Sequence, residues 1–135
     1  MDLLKSMKIS ASGMKAQGER MRIISENLAN KDSIGATPDQ DPYRRKVVTF
    51  SNVLDKEINA QKVVVDKVTE DKSEFGSRFD PNHPAADEDG YVKIPNVNSL
   101  VEVMDMKETQ RSYQANLGAI DASKKMIMQT LEILR

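Results

Sequence analysis

The sequence contains no cysteine and no tryptophan, a single histidine, and only 4% aromatic residues. Without cysteine there is no disulfide framework and no thiolate for catalysis or metal binding. One histidine excludes any site that needs two, such as a paired-histidine zinc site. With so few aromatics, the core must be built from Val, Ile, Leu, Met and Ala, which supply most of the 39% hydrophobic fraction. Charge of one sign is lacking as well, since 20 Lys and Arg stand against 21 Asp and Glu for a net charge of −1. That balance argues against a nucleic-acid binder held by bulk positive charge and against an acidic solvating tail. No run approaches the roughly 18 apolar residues of a membrane span. The opening Met1-Asp2-Leu3-Leu4-Lys5-Ser6-Met7-Lys8 lacks the continuous apolar stretch of a cleavable secretory signal. On these facts alone the default expectation is a cytosolic protein, and 135 residues fit one domain.

What is present is helical periodicity at both ends. Residues 2–30 contain no proline, and Asp2 suits an N-cap. Met7, Met14, Met21 and Leu28 recur every seven residues, with Leu3 and Ile24 at neighbouring seam positions. That is the 3.5-residue period of a helix that pairs with another helix. The seam weakens at Ser10, Gln17 and Gly18. Gly13 and Gly18 each cost about 1 kcal/mol relative to Ala in a helix interior. Residues 97–135 predict a second helix, opening on the capping box Ser99-Leu100-Val101-Glu102. Its predicted seam runs Val103, Met106, Gln110, Tyr113, Leu117, Ile120, Lys124, Ile127, Leu131, Leu134.

The middle, 31–96, has another texture. It holds all five prolines and four of the six glycines. Its β-prone stretches are 43–50, 62–69 and 91–94, and 71–89 reads as an acidic, turn-rich loop. Ser51–Gln61 is polar and compatible with a short helix. The predicted fold is therefore mainly α with a small β insert. The long N- and C-terminal helices, 1–30 and 97–135, pair as an antiparallel coiled-coil-like hairpin, and 31–96 forms an inserted β-rich domain. Two helices alone bury little, and the methionines along them suit adaptable contact surfaces. Residual apolar surface on such a pair predicts self-association or a partner.

Catalytic chemistry finds little footing. His83 sits between two prolines in Asp80-Pro81-Asn82-His83-Pro84 and reads as a turn residue. Asp87-Glu88-Asp89-Gly90 invites comparison with a calcium loop, but the required Gly at the sixth position and Glu at the twelfth are missing. No phosphate-binding glycine loop, nucleophile elbow or H-E-x-x-H occurs. Arg44-Arg45-Lys46 is a short basic run with no supporting positive field around it. No catalytic residue, cofactor or metal ligand is expected. Asn27 and Asn30, three apart near a helix end, suit capping of that helix and hydrogen bonding to a neighbouring chain.

Several blocks carry a resemblance. Ile9-Ser10-Ala11-Ser12-Gly13-Met14, then Ala16-Gln17, Arg20-Met21 and Asn27-Leu28-Ala29-Asn30, resemble the N-terminal signature of bacterial flagellar rod and hook proteins. Pro42-Tyr43-Arg44-Arg45-Lys46-Val47-Val48-Thr49-Phe50 narrows this to the proximal-rod members of that family. So do Phe79-Asp80-Pro81-Asn82-His83-Pro84-Ala85-Ala86-Asp87, Asp89-Gly90-Tyr91-Val92 and Pro95-Asn96-Val97. Met104-Asp105-Met106, Arg111-Ser112-Tyr113-Gln114-Ala115-Asn116 and Leu131-Glu132-Ile133-Leu134 fit as well, so the resemblance covers nearly the whole chain.

The resemblance implies a structural subunit rather than an enzyme. Such proteins leave the cytoplasm through the flagellar type III export apparatus without a cleaved signal, which would replace the cytosolic default. They polymerise helically into the periplasmic rod of the basal body, the drive shaft that transmits torque and encloses the export channel. The implied partners are the chain itself, other flagellar rod proteins, and the MS-ring and export-gate junction, with no nucleic acid and no membrane span. The expected subunit interface takes the seam residues Met7, Met14, Met21, Ile24, Leu28, Tyr113, Leu117, Ile120, Ile127, Leu131 and Leu134. It adds the signature asparagines Asn27, Asn30 and Asn116. Two rival readings are a cytosolic helical-hairpin adaptor or chaperone of a secretion system, and a hydrolase built on His83. The first leaves the blocks in the β insert unexplained, and the second lacks a nucleophile–base pair.

Overall fold

A computed structural model describes residues 2–135. Helix α1 spans Leu3–Ala29 and helix α2 spans Ser99–Ile133. Between them lie strands β1 (Lys46–Asp55), β2 (Ala60–Glu70), β3 (Gly76–Phe79) and β4 (Tyr91–Ile94). They form two separate two-stranded sheets, β1 with β2 and β3 with β4. Two terminal helices and a small β middle match the predicted class at that level.

The element ends follow from local chemistry. The Asp2 carboxylate accepts the Lys5 amide at 3.2 Å, as an N-cap should. At the other end of α1, the Asn30 side-chain amide donates to the Glu26 carbonyl at 2.9 Å. For α2 the expected capping box does not form. Asn98 is the cap, its Oδ1 accepting the Leu100 and Val101 amides at 3.0 and 3.4 Å. Glu102 turns away from the helix end because a cation elsewhere holds it. The middle also departs from expectation. Segment 51–61 is the end of β1, a four-residue turn and the start of β2, with no helix. Asp55 accepts the Glu57 amide, and Asn59 adopts φ 45°, a left-handed conformation that Asn tolerates. Strand β3 lies inside the stretch expected to be an acidic loop.

The chain divides into two compact units. One takes Met1–Met21, Val48–Lys67 and Met106–Arg135, and the other takes Arg22–Val47 and Val68–Asp105. In the first, Ala16 is buried with Ser10, Thr109 and Ser123. A Cβ on Gly13 would lie only 2.9 Å from the Asn116 amide nitrogen, so these helices touch where Gly13 has no side chain. Arg20 and Glu108 pair at 4.0 Å. In the second unit the apolar core is Ile23, Ile24, Ala85 and Val92. Here β3 and β4 run antiparallel with Arg78 opposite Val92 and Phe79 opposite Tyr91. Gly90, at φ +82°, makes the turn into β4, and any Cβ there would press on Phe79 and Pro81.

All eight seam positions on α1 are at least half-buried: Leu3, Met7, Ser10, Met14, Gln17, Met21, Ile24 and Leu28. On α2 four of the ten expected seam positions hold, since Met106, Tyr113, Ile120 and Ile127 are half-buried. The other six, Val103, Gln110, Leu117, Lys124, Leu131 and Leu134, are exposed. One residue before the first four of these, which are spaced seven apart, Glu102, Thr109, Asn116 and Ser123 take the covered positions.

Candidate functional site

The most closely connected cluster of side chains is polar and lies in the second unit. Its centre is Asn27, only 1% exposed, near the last turn of α1. Asn27 Oδ1 accepts the Lys46 amide at 2.9 Å, and its Nδ2 donates to the Lys46 carbonyl at 2.9 Å. The side chain thus pairs with the first residue of β1 as a neighbouring strand would. Tyr43 donates its hydroxyl to the same Oδ1 at 2.8 Å, and Asn27 Nδ2 also donates to Glu102 Oε2 at 3.3 Å. A buried amide with its donors and acceptor all engaged carries no desolvation penalty of the kind an orphaned one would.

Glu102 is wholly buried in the first turn of α2. A carboxylate is favoured there by the amide dipoles of the helix start, but full burial demands a cation as well. Arg45 supplies it, donating from Nε to Glu102 Oε1. The rest of the guanidinium faces Asp71 and Asp105, each at 3.5 Å. Arg45 also donates its backbone N–H to Asn96 Oδ1 at 2.8 Å. Asn96 Nδ2 in turn donates to the Asp71 carbonyl and the Ser73 hydroxyl, both at 3.0 Å. Burial opposes the charged form of Arg45, yet Glu102, Asp71 and Asp105 outweigh it and hold its pKa above the ordinary value.

The electrostatics of the neighbours agree. Burial, then the carboxylates Glu26, Glu102 and Glu70, push the Tyr43 phenol up to about 12. It remains a neutral donor to Asn27 throughout the physiological range. Asp71 is held below the usual carboxylate range by the Ser73 amide and hydroxyl, with a further contribution from Arg45. The flanking cations are committed too. Arg44 donates to the Asp71 and Ser73 carbonyls at 3.0 Å and lies 4.1 Å over the Phe75 ring, and Lys46 pairs with Glu26. Every cation of the basic run is therefore spent inside the chain rather than offered to phosphate.

Chemically this arrangement is a clasp and contains no nucleophile aimed at a cleft. It ties the end of α1, the approach to β1, the segment after β2 and the start of α2 together through side chains. His83 shapes a turn, its Nδ1 accepting the Ala85 amide at 3.0 Å. Asp87 spends its carboxylate on the Asp89 and Tyr91 amides of its own loop. Among the described residues there is no group of three or more His, Asp or Glu placed to hold a metal ion.

The fourteen residues expected at a subunit interface fall into three sets. Ile24 and Asn27 are buried within the chain. Met7, Met14, Met21, Leu28, Asn30, Tyr113, Asn116, Ile120 and Ile127 are half-buried. Leu117, Leu131 and Leu134 are 42%, 62% and 78% exposed. Asn30 caps α1, whereas Asn27 serves the clasp instead of capping. Sequence reading missed Tyr43, Arg45, Asp71, Asn96 and Glu102 as a connected group. The available signal is the Pro42-Tyr43-Arg44-Arg45-Lys46 and Pro95-Asn96 blocks, whose cations and amide need partners that lie far away in sequence.

Comparison with known proteins agrees along the chain. Residues 88–133 match the family described as flagellar basal body rod FlgEFG protein C-terminal. Over 133 residues the chain is 46% identical to the flagellar basal-body rod protein FlgC of Agrobacterium fabrum, covering 98% of this chain and 96% of that one. It is 40% identical over 148 residues to the protein of the same name from Bacillus subtilis, covering 98% and 99%. For Salmonella typhimurium the identity is 36% over 133 residues, covering 98% of each.

Proposed function

The chain belongs to the family of the flagellar basal-body rod protein FlgC, and from that premise we propose how its fold serves the rod. It is a structural subunit of the bacterial flagellar basal body, a component of the motility apparatus that assembles with other rod components. Nothing favours a cytosolic adaptor or chaperone. In our reading the subunit is exported through the flagellar type III apparatus without a cleaved signal and polymerises helically in the periplasm. There it meets the MS-ring and export-gate junction, transmits torque, surrounds the export channel and performs no catalysis.

Within the subunit, the terminal segments 1–30 and 97–135 pair as an antiparallel coiled-coil-like hairpin that forms the rod core, and 31–96 makes the outer contacts. Three features support this: the close approach of Gly13 and Asn116, the Arg20–Glu108 pair, and covered positions spaced alternately three and four apart on both helices. The covered seam residues hold the chain's own helices, and the exposed ones are left for other subunits.

The observation that carries the reading is the outward apolar stripe of α2. Leu117, Leu131 and Leu134 are exposed, while the covered side holds Glu102, Thr109 and Ser123 among Met106, Tyr113, Ile120 and Ile127. A helix that covers polar groups and leaves leucines outside is suited to be covered by other chains. Burying the exposed part of one such leucine against a neighbour is worth about 2 kcal/mol. The test separates folding from assembly. Leu131→Asp should leave monomer stability within about 0.5 kcal/mol of the parent, as expected for an exposed site. The same variant should be secreted but should build no rod, whereas Glu132→Ala cells swim. Normal basal bodies by electron microscopy in Leu131→Asp cells would show that this stripe is not the assembly surface.

A further inference from the structure

Apart from the α2 stripe, two surface features of this chain fit one another. The first is a groove of about 470 Å³ along the opening turns of α1. Leu4, Met7, Ile58 and Ile120 line it with apolar atoms, and Leu4 is 66% exposed. Lys5 and Lys8 stand at its rim beside Asp2, whose carboxylate caps α1 by accepting the Lys5 backbone amide, and neither ammonium group pairs with a carboxylate among the described residues. The second feature is an aromatic knob on the β3–β4 sheet. Phe79 and Tyr91 stack edge to face, with ring centroids 5.3 Å apart, yet are 63% and 47% exposed. Aromatic pairs of this kind gain most from burial and are the usual anchors of interfaces.

The charge around the knob is negative. Arg78 is paired with Asp80 at 3.7 Å and Lys93 with Asp41 at 3.6 Å. Glu88 and Asp89, on the loop leading into β4, keep carboxylates with no partner among the described residues. An apolar groove rimmed by two free cations therefore exists in the same molecule as an apolar knob beside two free anions. We propose that the Phe79–Tyr91 knob of one copy docks into the α1 groove of a second copy, with Glu88 and Asp89 facing Lys5 and Lys8. Another exposed apolar segment of the chain, the end of α2, is a worse occupant. It carries Lys124, Lys125 and Arg135 against Glu132, and so would bring like charge to the rim. Knob and groove are different patches, so the contact is heterologous and repeats from copy to copy. It rests on the rod-subunit reading and assigns that polymer one specific self-contact.

The experiment places a benzoyl-phenylalanine photocrosslinker at Phe79, and separately at Tyr91, in cells where this chain is the sole copy. The expected product is a crosslinked pair of this chain whose second site maps to Leu4, Met7 or Ile58. Lys5→Glu with Lys8→Glu should reduce that product about tenfold, since attraction becomes repulsion at two exposed pairs. Adding Glu88→Lys and Asp89→Lys to the same chain should restore it. A crosslink to a different protein, a crosslink confined to one chain, no crosslink at either position, or no restoration by the charge swap would overturn the proposal. If rods still form and cells swim in those cases, the contact is wrong and the rod-subunit reading stands. If the chain is absent from isolated basal bodies, that reading falls and takes the contact with it.

Discussion

Arg45 and Glu102 form the part of the clasp most sensitive to change, and the two should respond unequally. Glu102 is wholly buried, and besides Arg45 its carboxylate accepts from the Asn27 amide at 3.3 Å. Arg45→Met would leave that carboxylate buried without a cation, a change that costs about 3–5 kcal/mol. Glu102→Leu is milder. The guanidinium side chain is 21% exposed and keeps Asp71 and Asp105 at 3.5 Å, so the loss should be about 1–3 kcal/mol. Replacing both removes the pair without stranding a charge, and such double replacements are often nearly neutral. The double variant should therefore be no worse than Glu102→Leu alone, giving a coupling energy of about 3 kcal/mol or more. Urea unfolding followed by far-UV circular dichroism measures this directly. With a slope of about 1–3 kcal/mol per molar for a chain of this size, Arg45→Met should move the midpoint by at least about 1 M. If Arg45→Met costs under about 1 kcal/mol, or if the two single losses simply add, the pair does not organise this unit and the clasp is only a surface network.

The glycines of α1 should separate by environment. Gly18→Ala meets nothing within 4 Å and should gain about 0.5–1 kcal/mol from helix propensity, whereas Gly13→Ala must displace the Asn116 amide and should gain nothing. Equal shifts of the two melting temperatures would refute the close approach at Gly13. On the alkaline side, the difference titration between the parent and Tyr43→Phe at 295 nm should show a phenol ionising near 12 instead of 10. Because its folded value is raised, Tyr43 contributes a stability that is intact below pH 10 and declines up to about pH 12, a slope that Tyr43→Phe should lack. On the acid side Asp71 is held low, so its contribution is present above the ordinary carboxylate value and is lost as pH falls through the lower folded value. Asp71→Asn should flatten the acid limb of the stability curve, and an unchanged limb would show that Ser73 does not hold that carboxylate.

Much of the scaffold is legible without coordinates. A seven-residue repeat of Met7, Met14, Met21 and Leu28 with no proline is enough to place α1, because a 3.5-residue period fits a helix and not a strand. Asp2 announces its own cap, and the prolines and glycines confine the β elements to the middle. Strand β3 is not legible, since Gly76-Ser77-Arg78-Phe79 has no alternation and becomes a strand only because β4 offers it a ladder. The polar 51–61 stretch is likewise ambiguous until β1 and β2 pair through it.

The seam of α2 shows where periodicity stops. Positions 103, 110, 117 and 124 and positions 102, 109, 116 and 123 both alternate correctly with 106, 113, 120 and 127. The pattern alone admits either, and the preference for apolar residues selects the first. The structure takes the second. Its polar side chains can be covered because partners distant in sequence receive them: Arg45 and Asn27 for Glu102, and the missing side chain of Gly13 for Asn116. A buried carboxylate costs several kcal/mol alone and little when a cation and an amide are already in place. Whether Glu102 caps its helix or fills the interior is therefore decided by residues 57 and 75 positions away. The sequence determines that there are helices and which of their faces repeat. Only the assembled tertiary structure, by satisfying those polar groups, decides which of two adjacent faces turns inward and leaves the leucines outside.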